Sequence, residues 1–185
     1  QTTAEMIFAA GDVCSRFQFT HAADAHAQIV IQNALFPHPF GLGMARVSSL
    51  VIPRVTYTQP EVAHVGMTDA EARAAGIEGE TFAFKLDEID RAILDGDEEG
   101  FARVRVKRGT GTILGATIVS TRAGDLISEA TVVMHNGLGL SAIAGTIHPY
   151  PTQAEVLKRA ANVWRKSTFT DKKQRILKRW FEWAR

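Results

Sequence analysis

Two runs of alternating apolar and polar residues, Phe101–Lys107 and Thr112–Ser120, flank Gly109-Thr110-Gly111. Alternation at period two marks half-buried strands, and a glycine-bearing connection of this length closes them into a hairpin. A hairpin with one apolar face needs a cover. The residues that follow supply it: Ala123–His135 is an amphipathic helical stretch closed by Asn136-Gly137, Leu140–Ala144 is a short helix, and Pro151–Lys166 is another. The fold class is therefore α+β, an antiparallel sheet flanked by helices. Hydrophobic residues at 45% and charged residues at 22% agree with a packed globular chain.

Upstream, Ile52–Thr58 is β-rich and ends at Gln59-Pro60, and Thr81–Leu86 reads as a strand. Thr68–Gly76 carries its own helix signals: Thr68 as N-cap, Glu71 three residues on, and Gly76 as stop. Before the Pro- and Gly-dense stretch Phe36–Gly43, residues 22–36 read as a helix, and residues 5–12 as a short buried strand running into a turn. No internal repeat is present. Three segments are expected: 1–45, 46–166 and a tail at 167–185.

Charge separates along the chain. Residues 158–185 hold ten Lys or Arg against Asp171 and Glu182, which leaves 11 basic and 18 acidic residues in 1–157. Within the tail, Asp171–Arg185 sets Ile176, Leu177, Trp180, Phe181 and Ala184 on one stripe, with Lys172, Lys173, Arg175, Lys178 and Arg179 over much of the rest. That is a basic amphipathic helix. Nowhere do roughly 18 uninterrupted apolar residues occur, so no membrane span is expected. Gln1 is not an initiator methionine, and the chain reads as an excised or processed piece.

The sites with chemical potential are few. Six histidines, at 21, 26, 38, 64, 135 and 148, form no His-x-x-x-His pair and none joins Cys14 at ligand spacing, so no metal site is expected. Cys14, the single cysteine, makes no internal disulfide and is expected buried or inert. Gly137-Leu138-Gly139-Leu140-Ser141-Ala142 fits a dinucleotide fingerprint in letters only: a helix precedes it where a strand is required. Gly11-Asp12 has two readings, a plain turn or a carboxylate placed past a strand to accept hydrogen bonds from a ribityl or ribose hydroxyl. Thr146–Glu155 also has two. Its prolines hold His148 and Tyr150 extended ahead of a helix, with Glu155 one turn in, as an acid–base pair would require. Alternatively it is a Pro-rich turn in which Thr152 and Glu155 only cap the helix.

Over about residues 5–165 the order of these segments resembles the C-terminal part of the FAD-dependent pyridine nucleotide–disulfide oxidoreductases. Ile7-Phe8-Ala9-Ala10-Gly11-Asp12-Val13 is similar to that family's second FAD motif. Thr20-His21-Ala22-Ala23 is similar to the stretch whose backbone lies by the isoalloxazine. Tyr57–Gly66, Gly100–Val106, Ile113–Ala116 and Ala123–Ala130 resemble its dimerisation domain. The resemblance implies FAD contacts from Gly11, Asp12, Thr20, His21 and Ala22, and catalytic roles at Tyr150, Glu155 and His148.

The family's disulfide reductases place a catalytic His directly before Pro-Thr, with a Glu five residues after that His. Here Tyr150 takes that position, Glu155 follows by five, and His148 lies two upstream. Imidazole titrates near about 6.5 and phenol near about 10, so Tyr150 would donate a hydrogen bond but serve poorly as a base. A tyrosine there is similar to the mercuric reductase branch, whose C-terminal cysteine pair this chain does not carry.

The resemblance further implies a cytoplasmic, two-fold homodimer in which each chain completes its partner's active site. FAD and NAD(P)H would belong to the longer parent, and electrons would run from NAD(P)H through flavin to a cysteine pair. The fragment alone is expected to be inactive and to hold no flavin stably. The rival expectation is a non-catalytic dimeric scaffold whose basic tail, 171–185, meets an anionic membrane surface or a partner protein. Nucleic acid is not expected as a partner, because the body is acidic and the tail tryptophans lie close to the apolar stripe.

Overall fold

The computed structural model describes residues 2–4 and 6–184; Gln1, Glu5 and Arg185 lie outside the described residues. Two compact units are present, Gln1–Arg54 and Val55–Arg185.

In the first unit a 3₁₀ turn, Gly11–Val13, precedes helix α1, Thr20–Leu35. The Pro- and Gly-rich stretch after α1 is tied back to that helix. Asn33 clamps Ala45 through Nδ2 to its carbonyl and from its amide to Oδ1, both at 2.9 Å, and Gln32 donates to the Gly43 carbonyl at 3.1 Å. The strand expected at 5–12 does not form: residues 7–10 have no ladder partner, and Met6 and Ile7 are exposed. An apolar run becomes a central strand only when neighbouring strands bond both of its edges. Among the described residues of this unit there is none.

The second unit is a sheet under helices. Strands β1 (Arg54–Thr56), β2 (Glu61–Gly66), β3 (Gly79–Lys85), β4 (Phe101–Lys107) and β5 (Ile113–Ser120) lie in the order β1-β2-β5-β4-β3. The hairpin is antiparallel, Phe101 opposite Val119 and Val104 opposite Ala116, with a bulge between Arg105 and Val106. β2 and β3 pair antiparallel on its two sides, and β2 is an alternating strand that the sequence reading passed over. Between strands run α2 (Asp69–Ala74) and α3 (Asp90–Asp95); after them come α4 (Ala123–His135), α5 (Leu140–Gly145), α6 (Glu155–Ser167) and α7 (Asp171–Trp183).

Alternation decides which face is covered. Ala63, Val65, Ala102, Val104, Val106, Ala116 and Ile118 point under the helices and are buried. α4 crosses β2 and β5, α6 crosses β3 and β4, and α5 packs on α6. Their inward residues are Ala123, Ile127, Ala130 and Val133, then Leu140 and Ile143, then Val156, Leu157, Ala160 and Ala161. Alanines on both sides of the interface let helix and sheet backbones approach closely. The opposite face carries charge: Arg105 meets Asp69 of α2 at 2.9 Å and Arg103 meets it at 3.7 Å. α2 itself shows the full capping box, Thr68 Oγ1 accepting from Glu71 N–H while the Thr68 N–H donates to Glu71.

Gly115 in β5 passes so close to Met67 that a Cβ would strike the Met67 carbonyl. Gly145 faces open space, with nothing within 4 Å of an added Cβ. Gly115→Ala is expected to cost about 2 kcal/mol or more, as overpacking does, while Gly145→Ala stays within about 0.5 kcal/mol of the parent. Urea unfolding of both variants checks the pair.

Candidate functional site

Packing of α5 on α6 fixes both ends of the segment between them. Thr146 caps α5 with its amide on the Ala142 and Ile143 carbonyls, and Glu155 opens α6. The segment in between bends at Tyr150 and Pro151, which are joined by a cis peptide bond. Thr152 and Glu155 do not form the expected capping box. Thr152 Oγ1 instead donates to the Pro149 carbonyl at 2.8 Å, and α6 starts from Ala154 without a side-chain cap. Thr152 stands two residues before Ala154, the N-cap, and its hydroxyl is committed to the Pro149 carbonyl.

His148 and Tyr150 each find a carboxylate from a distant element. The His148 side chain is 6% exposed and its Nε2 lies 2.9 Å from Glu129 Oε1 on α4. Its Nδ1 lies 3.2 Å from the Thr146 carbonyl. A carbonyl only accepts, so Nδ1 is the donor there. Nε2 then faces Glu129 either as an imidazolium donating to a carboxylate or as an acceptor from a protonated carboxyl. In both states the pair holds one transferable proton. Burial pushes the Glu129 carboxyl above its ordinary value, and the nearby His148 opposes that shift.

Tyr150 is 69% exposed, and its hydroxyl donates to Asp90 Oδ2 at the start of α3, 2.8 Å away. That hydrogen bond, then the Asp90 charge, raises its pKa above the phenol's usual 10.0; Glu155 adds to the rise and Arg159 opposes it. The phenol therefore stays protonated at neutral pH and presents its oxygen lone pairs to solvent. Glu155 is engaged elsewhere, 3.9 Å from Arg159 one turn along α6. Thus Tyr150, His148 and Glu155 share one short segment, yet each of the first two is held by a residue that sequence reasoning missed. Asp90 lies 60 positions from Tyr150 in a stretch with no local signal. Glu129 had one: an acid set between Ile127 and Ala130, both on the buried stripe of α4.

Gln153 was also missed. It is 6% exposed, and neither amide atom has a hydrogen-bond partner among the described residues. It lines a cleft of about 280 Å³ with Arg91, Asp95, Arg122 and Asp125. A buried amide left unpaired costs about 1–3 kcal/mol.

The expected flavin contacts lie in the first unit. Gly11, at φ +75°, lets its turn close on α1: an added Cβ would come within 3.1 Å of Ala23. Its N–H donates to Nδ1 of the buried His26 at 3.3 Å. Asp12 is exposed, while Ala22 is buried. Thr20 and His21 open α1, where first-turn amides lack intrahelical acceptors. The His21 ring stacks on Phe19 and its Nε2 lies 2.8 Å from the Pro53 carbonyl. An exposed carboxylate and a free helix start suit the hydroxyl chain and polar edge of a flavin. Cys14 departs from expectation: it is exposed, because the 3₁₀ turn carries it outward and its Sγ only reaches the Gly11 carbonyl at 3.4 Å. Gly137–Ala142 is structural, between α4 and α5, with Leu140 N–H bonded to the Gly111 carbonyl at 2.7 Å.

Residues 52–161 match the family model described as "Pyridine nucleotide-disulphide oxidoreductase, dimerisation domain". The chain is 38% identical to a mercuric reductase of Streptomyces lividans over 165 residues, 89% of this chain and 34% of that protein. It is 34% identical to a dihydrolipoyl dehydrogenase of Thermus scotoductus over 166 residues, 90% of this chain and 34% of that protein. Among solved structures, the HOCl-induced flavoprotein disulfide reductase RclA of Escherichia coli superposes with a TM-score of 0.75 at 27% identity, covering 86% of this chain and 36% of the other. The chain thus spans about a third of the length of these relatives.

If Asp90 holds the Tyr150 proton, Asp90→Asn removes the two largest causes of the upward shift. The phenolate transition of Tyr150 is then expected to move down toward about 10. Ultraviolet difference titration reads it, with Tyr150→Phe identifying which of the two tyrosines moves. A transition at the same pH in the Asn variant would refute the assignment.

Proposed function

The chain belongs to the pyridine nucleotide-disulphide oxidoreductase family through its dimerisation domain, and we propose that it serves a mercuric-reductase-like flavoenzyme by completing the partner subunit's active site with the segment His148–Glu155. In this reading residues 46–166 are the dimerisation domain, 1–45 close the FAD-binding domain, and 167–185 are an appended tail. FAD, when bound, would supply two-electron chemistry between NAD(P)H and a cysteine pair. Asp12 and the start of α1 would hold and orient it.

The observation that carries the reading is Tyr150. Exposed yet hydrogen-bonded to Asp90, its hydroxyl is held in one place. A residue fixed in that way, with no use inside its own unit, is set for something brought to it. Gln153 supports the same view, since its unpaired buried amide would gain partners from a second subunit. So do the exposed apolar residues Leu94, Val132, Leu138 and Ile147, which suit a two-fold interface.

The chemistry follows from the partners. Tyr150 keeps its proton on Asp90 and offers lone pairs, so it would accept a hydrogen bond from a thiol or bind an electrophile, not remove a proton. Proton exchange falls to His148 and Glu129, which already hold a transferable proton between them. Glu155 adds negative charge that keeps the phenol protonated. The second reading, a non-catalytic dimeric scaffold, is favoured only by the exposed stripe of α7 and leaves Tyr150 without a task.

Two outcomes test this. In the full-length reductase, Tyr150→Phe is expected to lower kcat about tenfold or more while NAD(P)H still reduces the flavin at the parent rate; an unchanged kcat sinks the catalytic assignment. The 185-residue chain by itself is expected to sediment as a dimer and to be colourless. Flavin absorbance in the purified chain would show that the first unit holds the cofactor unaided.

A further inference from the structure

Helix α7 is amphipathic, yet none of its residues is buried. Trp180 is 53% exposed, Phe181 55% and Trp183 84%, and Ile176 and Leu177 share the same side. Trp180 and Phe181 meet edge to face at 5.1 Å, so the stripe is a joined aromatic surface. An amphipathic helix of a globular protein normally spends its apolar side on the core. This one adds nothing to the core of its own unit.

Charge says what the stripe faces. Lys172, Arg175, Lys178 and Arg179 occupy the rest of the circumference, and Lys173 in the first turn donates to the Thr168 carbonyl at 2.8 Å. The two acids stand at the ends, Asp171 in the first turn and Glu182 in the last. Arg165 and Lys166 extend the positive charge into the end of α6. A protein interface depletes lysine at its centre and surrounds it with mixed polarity. Cations flanking an aromatic–aliphatic stripe that includes Trp180 instead match the boundary between lipid headgroups and acyl chains. The acidic body opposes this attraction, and salt screens its charge over about 8 Å at physiological ionic strength.

No helix among the described residues is long and apolar enough to cross a membrane. We propose that α7 lies in the plane of an anionic bilayer surface, with Ile176, Leu177, Trp180 and Phe181 among the acyl chains and its lysines and arginines at the lipid phosphates. This inference does not rest on the role of Tyr150, and neither reading falls with the other.

The test is co-sedimentation of the 185-residue chain with vesicles of phosphatidylcholine alone or with about 30 mol% phosphatidylserine. Binding is expected to be at least about fivefold stronger on the phosphatidylserine vesicles and to fade as salt rises. Trp180→Ala with Phe181→Ala is expected to abolish it, and Lys178→Glu with Arg179→Glu to weaken it about fivefold or more. Both pairs are exposed, so thermal unfolding midpoints should match the parent and exclude misfolding as the cause. Equal pelleting on both vesicle types, no pelleting, or undiminished pelleting of the variants overturns the proposal. So does a parent dimer that the stripe variant breaks in the absence of lipid, which would assign the stripe to a second copy.

Discussion

The burial of one sheet face beneath α4 and α6 is the constraint on which the other features depend. Alanines at 63, 102, 116, 130, 160 and 161 line that contact. They permit the helices to sit low, and low helices can carry a side chain from their flank to a loop beyond their end. Glu129 does this from α4 and reaches His148. Larger residues at those alanines would lift α4 and carry the carboxylate with it. The core and the candidate site are therefore one packing problem.

Within the segment itself, two ionisable side chains two residues apart are handled in opposite ways. His148 is buried and paired with an acid that burial would rather protonate. Tyr150 is exposed and paired with an acid that keeps the phenol from ionising. The first arrangement sets an imidazole and a carboxyl 2.9 Å apart, and the second makes the phenol's proton hard to remove. Neither property belongs to the residue type alone, since each is set by a carboxylate delivered from elsewhere in the fold.

Much of the architecture was legible from periodicity. The hairpin, α4 and the capped α2 stand where alternation, helical spacing and the Thr68/Glu71 signal put them. What failed had causes beyond local pattern. The apolar run at 5–12 looks like a strand, but strand pairing is non-local and no edge is there to receive it. Thr152 and Glu155 have the letters of a capping box, but the Thr152 hydroxyl goes to the Pro149 carbonyl and Ala154 takes the N-cap place. In the site, the chemistry-bearing residues were visible on one segment, while Asp90 was not, because a contact across 60 positions leaves no trace in a window of ten, and Glu129 showed only as an acid beside the buried stripe of α4.

The bond between Tyr150 and Asp90 has a consequence for how this site can change over evolutionary time. An imidazole is the shorter ring, so in place of the phenol it would leave the Asp90 carboxylate without the hydroxyl from which it now accepts. Positions 150 and 90 are therefore coupled, since an exchange at either one removes the partner of the other. Two sites far apart in the gene are bound into one heritable unit by 2.8 Å of hydrogen bond.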